Sequence, residues 1–89
     1  MKIIGTIKQV DSYEGTNEKG NKWKRQSIVV REDDHTVAFP DEMVLDLWND
    51  RIPEQPLVVG MHVEVFFSVK TRVHNEHLYN DFYVVKLIF

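Results

Sequence analysis

The chain has 89 residues, of which 43% are hydrophobic and 28% are charged. This length indicates one domain over residues 1–89, and this composition excludes an intrinsically disordered protein. The chain has no cysteine, which excludes disulfides and thiolate metal sites and permits a cytoplasmic location. The net charge of −3 argues against a protein whose whole surface coats nucleic acid.

The apolar stretches are too short for a membrane span. Lys2 and Lys8 interrupt residues 1–10, and Glu64 interrupts residues 57–67. A spanning helix needs about 20 predominantly apolar residues. We therefore expect neither a signal peptide nor a membrane partner.

Hydrophobic residues recur at every second position, which predicts β-strands along the whole chain. The five predicted strands are Lys2–Val10, Trp23–Arg31, Met43–Asn49, Met61–Thr71 and Leu78–Phe89. Turn-forming residues fill the connection Asp11–Asn21, and Val73–His77 is predicted to be a polar hairpin loop. Pro53 and Pro56 limit the connection before the fourth strand to about one turn of helix.

Alternation also assigns side chains to the two faces of each strand. The predicted core-facing residues are Ile28, Val30, Leu45, Leu47, Val63, Val65, Phe67 and Val69. Trp23, Arg25 and Trp48 then lie on the outward face. Val84-Val85 breaks the alternation of the last strand, which predicts either a β-bulge or burial on both faces.

Five strands without a long amphipathic helix predict an all-β fold. The strands are long enough to curl, and closure into a barrel removes most of the exposed sheet edge. A five-stranded Greek-key OB-fold barrel is therefore the predicted architecture. An SH3-like barrel is the alternative, although it usually has shorter strands and a shorter chain.

Several short motifs follow one another in a fixed order. They are Gly5-Thr6-Ile7, the stretch from Gly20 to Gln26, Phe39-Pro40, Leu47-Trp48-Asn49-Asp50, Val58-Val59-Gly60, Arg72 and Tyr79-Asn80-Asp81. Together they resemble a family of small single-domain OB-fold proteins of unknown function, found in Bacteroides-type bacteria and their phages and similar to bacterial single-stranded DNA-binding protein. The resemblance covers nearly the whole chain. It implies an OB-fold and binding to single-stranded DNA.

Two features depart from that resemblance. Asp41-Glu42 stands where relatives often have basic residues, which reduces the positive surface. The chain reaches Phe89 within the last predicted strand, so we expect it to lack the acidic-tipped tail of the larger bacterial proteins.

Basic and aromatic residues occur together around two of the predicted loops. OB-folds hold single strands across strands two and three and against the adjoining loops. Aromatic rings stack on bases there, and cations contact the phosphates. The candidate nucleic-acid-binding residues are Lys19, Lys22, Trp23, Lys24, Arg25, Trp48, Arg72 and Tyr79.

Each candidate also has a structural interpretation. Trp23 can close the end of the barrel, because Trp is usually mostly buried. Trp48 can be covered by the 32–42 connection or by a second subunit, and the lysines can form a solvated loop. Tyr83 can stack on a base or pack in the fold.

Other clusters of polar residues do not form a reactive site. His74 and His77 around Glu76 offer too few ligands for a four-coordinate zinc site. Asp33-Asp34 and Asp41-Glu42 have no nucleophile or base beside them and fit a solubilising loop. The sequence lacks a nucleophile elbow, a phosphate-binding glycine loop and a dinucleotide fingerprint. We therefore expect no enzyme activity, cofactor, metal or small-molecule substrate.

Two functions remain. The first is sequence-tolerant binding of single-stranded DNA or RNA in support of replication, recombination or repair. The second is an OB-fold protein-interaction module that does not bind nucleic acid, which the acidic balance and Asp41-Glu42 favour.

Self-association is expected under both functions. Phe66 is predicted to point outward, and Leu87-Ile88-Phe89 would leave apolar surface exposed in a monomer. Light scattering should therefore give the mass of a dimer or tetramer. A single species of 10.5 kDa would contradict this prediction.

Overall fold

Within the part of the chain that the structure describes, the alternating apolar residues form five β-strands. The computed structural model describes residues 1–33 and 41–89. The strands are β1 (Lys2–Thr16), β2 (Lys22–Glu32), β3 (Glu42–Trp48), β4 (His62–His74) and β5 (His77–Ile88). One 3₁₀ turn, Asn49–Arg51, follows β3. The all-β prediction is confirmed, while Asp34 and the Phe39-Pro40 motif lie outside the described residues.

The strand pairings form a closed ring. The order is β1-β2-β3-β5-β4, and β1 pairs with both β2 and β4. Every pairing is antiparallel except the parallel one between β3 and β5. A single residue pair, Asp46 with Tyr83, joins β3 to β5 in the described chain. This seam is therefore the weakest part of the ring. None of the helical segments described is long and apolar enough to cross a bilayer.

The core lies inside this closed sheet. Its buried residues are Ile3, Ile7, Ile28, Val30, Leu45, Leu47, Leu57, Val63, Val65, Phe67 and Val84. The predicted core faces of β2 and β3 are confirmed, and so is the face of β4 as far as Phe67. The prediction that Val69 is also buried is wrong, because this part of β4 extends beyond the core and leaves the side chain 37% exposed.

The first strand is longer than predicted. Residues 11–16, predicted to belong to a turn, instead pair with β2. The pairs run from Asp11 opposite Ser27 to Thr16 opposite Lys22. The turn is confined to residues 17–21. Asn17 Oδ1 accepts hydrogen bonds from the backbone N–H groups of Lys19 and Asn21 at 3.0 and 2.9 Å. Gly20 supplies the left-handed backbone at φ 83°.

The fourth and fifth strands are also longer than predicted at their shared end. The predicted loop Val73–His77 is a tight turn in which Asn75 and Glu76 have φ of 50° and 65°. In the described chain, two hairpins therefore run outward from the edge of the core, the β1–β2 arm (residues 11–27) and the β4–β5 arm (residues 68–83), and Phe82 at the base of the second still packs on the core. All residues from 71 to 80 are exposed.

A β-bulge explains the broken alternation in β5. Phe66 pairs with Lys86 and Phe67 pairs with Val84, so Val85 has no partner on β4. Val84 is buried and Val85 is exposed. The predicted bulge is therefore confirmed at this position.

Two adjacent residues of β3 test which face of the strand is buried in the core. Leu45 is fully buried, whereas Val44 is 57% exposed. Leu45→Ala should lower the free energy of unfolding by about 2–5 kcal/mol, because it leaves a cavity in the core. Val44→Ala should lower it by less than about 1 kcal/mol. Urea denaturation measures both values, and equal losses would contradict the assigned facing.

Candidate functional site

A groove lies between the outward face of β2 and β3 and the β4–β5 arm. Its volume is about 690 Å³. The residues that line it are Arg25, Asp46, Trp48, Lys70, Arg72, Asp81 and Tyr83. We refer to it as the central groove. Because Asp46 and Tyr83 form the seam between β3 and β5, the central groove runs over the weakest part of the ring.

Arg25 is held between two aromatic rings. It pairs with Tyr13 of β1 on one side and with Trp48 of β3 on the other. Its guanidinium carbon lies 4.4 Å from the centroid of the Tyr13 ring and 5.7 Å from that of Trp48. Cation–π contact on both sides fixes the plane of the guanidinium. Arg25 Nε is buried and has no hydrogen-bond partner among the described residues, so the rings position this side chain.

The two tryptophans contact each other at one end of the central groove. Their ring centroids are 6.1 Å apart with an interplanar angle of 52°. Trp48 is 43% exposed, and Trp23 is half-buried. Trp23 packs on Gly15, where an added Cβ would lie 2.7 Å from the Trp23 ring. Trp23 therefore supports the site through packing, whereas Trp48 presents ring surface to solvent. The predicted cover over Trp48 by the 32–42 connection lies mostly outside the described residues.

The β4–β5 arm supplies cations and tyrosines to the other wall. Arg72 Nε donates to Asp81 Oδ2 at 2.6 Å. Its guanidinium carbon lies 5.1 Å from the centroid of the Tyr79 ring. Lys70 is two residues before Arg72 and therefore lies on the same face of β4. Tyr83 completes this wall with 38% of its surface exposed.

The lysines near the first turn lie away from the central groove. Lys22 and Lys24 alternate with Trp23 and Arg25 along β2, so they lie on the opposite face. Lys19 lies within the turn that connects β1 to β2. The predicted cluster of positive charge is therefore divided between two faces of the β1–β2 arm.

Three of the eight predicted residues, Arg25, Trp48 and Arg72, line the central groove. Trp23 and Tyr79 each contact a lining residue. Sequence reasoning missed Tyr13, because that segment was predicted to be a turn. It also missed Lys70, Asp46 and Asp81 as groove residues. Asp46 could have been predicted, because it lies two residues before Trp48 and therefore on the same face of β3.

The central groove contains both signs of charge. Its cations are Arg25, Lys70 and Arg72, and its carboxylates are Asp46 and Asp81. The Arg72–Asp81 ion pair offsets one charge of each sign. In residues 1–33 and 41–89, no group of three or more His, Cys, Asp or Glu side chains could hold a metal ion. The arrangement can stack planar rings on exposed aromatic side chains and contact anions at its rim.

Gly15 provides a test of the packing behind Trp48. Gly15→Ala should displace the Trp23 ring and lower the free energy of unfolding by about 1–3 kcal/mol through overpacking. The tryptophan emission should shift to longer wavelength as the indole becomes more exposed. Thr16→Ala, at the exposed neighbouring position, is the matched control and should change neither property. An unchanged spectrum for Gly15→Ala would contradict the proposed contact.

Comparison with known protein families shows the family of the chain. Residues 2–87 match the model of a family described as a domain of unknown function (DUF3127). No curated protein and no solved structure matches the chain. Because the matched region spans almost the entire sequence, the chain belongs to the DUF3127 family.

Proposed function

We propose that this chain is an OB-fold barrel that binds single-stranded nucleic acid, principally DNA, in the central groove. The closed strand order β1-β2-β3-β5-β4 and its weak β3–β5 seam support a partly open five-stranded Greek-key barrel. The position of the central groove, over β2 and β3 and beside the β4–β5 arm, is the usual location of a single strand on that fold.

The observation that carries the proposal is the exposed ring of Trp48 beside the ring-stacked guanidinium of Arg25. A base that stacks on Trp48 gains about 1–3 kcal/mol. Arg25, Lys70 and Arg72 are then available to the phosphates on either side of that base. Stacking does not depend on base identity in the way that edge hydrogen bonding does, so binding should tolerate many sequences.

The same contacts also bear on whether RNA binds and on the role of the protein. Stacking and phosphate contacts neither require nor exclude a 2′-hydroxyl, so the proposed ligands include single-stranded RNA. A role in replication, recombination or repair fits a protein that covers unpaired DNA.

A second copy of this chain is also proposed as a partner, through the outward face on which Phe66 lies between Lys2 and Lys86.

Titration with a fluorescently labelled oligo-dT tests this function. Trp48→Ala should weaken binding by about tenfold, because it removes one stacking platform. Val44→Ala is the matched control, since Val44 is exposed on the same face of β3 but does not line the central groove. Anisotropy at low salt measures both affinities. Absence of binding at micromolar protein, or equal affinities for the two variants, would contradict the proposal.

The salt dependence is a second measurement on the same complex. A plot of the logarithm of the affinity against the logarithm of salt concentration should have a slope of about −0.7 for each phosphate contacted. The slope should therefore be about −2 if Arg25, Lys70 and Arg72 each contact one phosphate. Arg72→Ala should reduce this slope.

A protein-interaction module is the second candidate function. Val73 and Leu78 pair across the β4–β5 arm and are 69% and 74% exposed. Exposed apolar side chains at the tip of an arm are typical of a surface that packs against a protein partner. Retention of a specific protein by the wild-type chain, lost on Leu78→Ser, together with no oligonucleotide binding, would favour this candidate.

A further inference from the structure

Asp46 is a carboxylate in the lining of a groove proposed to hold an anion. It lies two residues before Trp48 on the outward face of β3, and it pairs with Tyr83 of β5. The side chain is half-buried, and Oδ1 accepts a hydrogen bond from Ser27 Oγ at 2.6 Å. Asp81 forms an ion pair with Arg72, but no Lys, Arg or His within the described ranges forms one with Asp46.

A ligand seated over Asp46 must satisfy this carboxylate. An ionised carboxylate only accepts hydrogen bonds, so a ligand group without a donor would desolvate Asp46 and leave Oδ2 with no donor to replace water. A phosphate at that point would add like-charge repulsion. The phosphates therefore follow Arg25, Lys70 and Arg72, and the part of the nucleotide that faces Asp46 is the edge of a base.

The two kinds of pyrimidine differ at that edge. At position 4, cytosine carries an amino group that donates to a carboxylate, whereas thymine and uracil carry a carbonyl oxygen that only accepts. The N3–H of thymine and uracil also donates, but it lies between two carbonyl oxygens that repel an approaching carboxylate. We propose that Asp46 makes the central groove prefer bases that carry an exocyclic amine, with cytosine favoured over uracil and thymine. This inference rests on the proposed binding of single strands. It adds a specificity residue to a site that otherwise relies on stacking.

Competition between oligo-dC and oligo-deoxyuridine at mildly alkaline pH tests the preference. Both strands lack the 5-methyl group of thymine, so their bases differ only in the hydrogen-bonding groups at position 4 and at N3. The wild-type chain should bind oligo-dC about fivefold to tenfold more tightly. Asp46→Asn should abolish or reverse this ratio, because the amide can donate to the uracil oxygen while its own oxygen still accepts from Ser27.

Glu42→Gln is the matched control. Glu42 is exposed on the same face of β3 but does not line the central groove, and its substitution removes the same charge. This variant should strengthen binding of both strands alike and keep the wild-type ratio. Equal wild-type binding of the two strands, or an unchanged ratio in Asp46→Asn, overturns the base preference alone. Failure to bind either strand overturns the proposed function and this inference together.

Discussion

The pairing register of β2 with β3 brings together Arg25 and Trp48, the contact on which the proposed site depends. Ile28 lies opposite Leu45, and both side chains have no exposed surface. Three residues further along the ladder, the same register places Arg25 opposite Trp48 on the outward face. A slip of one residue would turn the core side chains toward solvent, so burial strongly specifies this register. The packing of the interior therefore determines which side chains meet in the central groove.

The two arms extend these strands past the point where the core ends. β1 has 15 residues and β4 has 13, but their buried positions lie only near one end of each strand. Beyond that point, cross-strand contacts such as Tyr13 with Arg25 and Arg72 with Asp81 hold the arms together. An exposed hairpin with few buried apolar contacts has low local stability. The parts that flank the central groove are thus those best able to adjust around a ligand.

Alternation predicted the fold class and the faces of β2 and β3, because burial of one face imposes a strict period of two. It did not predict the extension of β1. Asp11, Ser12 and Gly15 have local turn propensity, while their pairing with β2 is a long-range effect that a local pattern does not contain. Tyr13 was missed for this reason. The groove residues of β4 and β5 were missed because their meeting depends on the register between those strands.

The lysines illustrate a different error. Lys22, Lys24 and Arg25 are close in sequence, and proximity alone suggested one basic surface. The pleat of a strand sends adjacent side chains to opposite faces, so the same rule that identified the core would have separated Lys24 from Arg25. Charge density along a sequence therefore predicts a binding surface only after the strand faces have been assigned.

The charge of the central groove also determines which interaction dominates there. Its three cations are accompanied by Asp46 and Asp81, so the local excess of positive charge is small. Salt screens exposed charges beyond about 8–10 Å, so the acidic residues outside the groove that make the net charge −3 have little effect on contacts within it. Within the groove, the exposed ring of Trp48 is not subject to screening. In the proposed complex, stacking on Trp48 therefore supplies most of the affinity, and Asp46 then selects among the stacked bases.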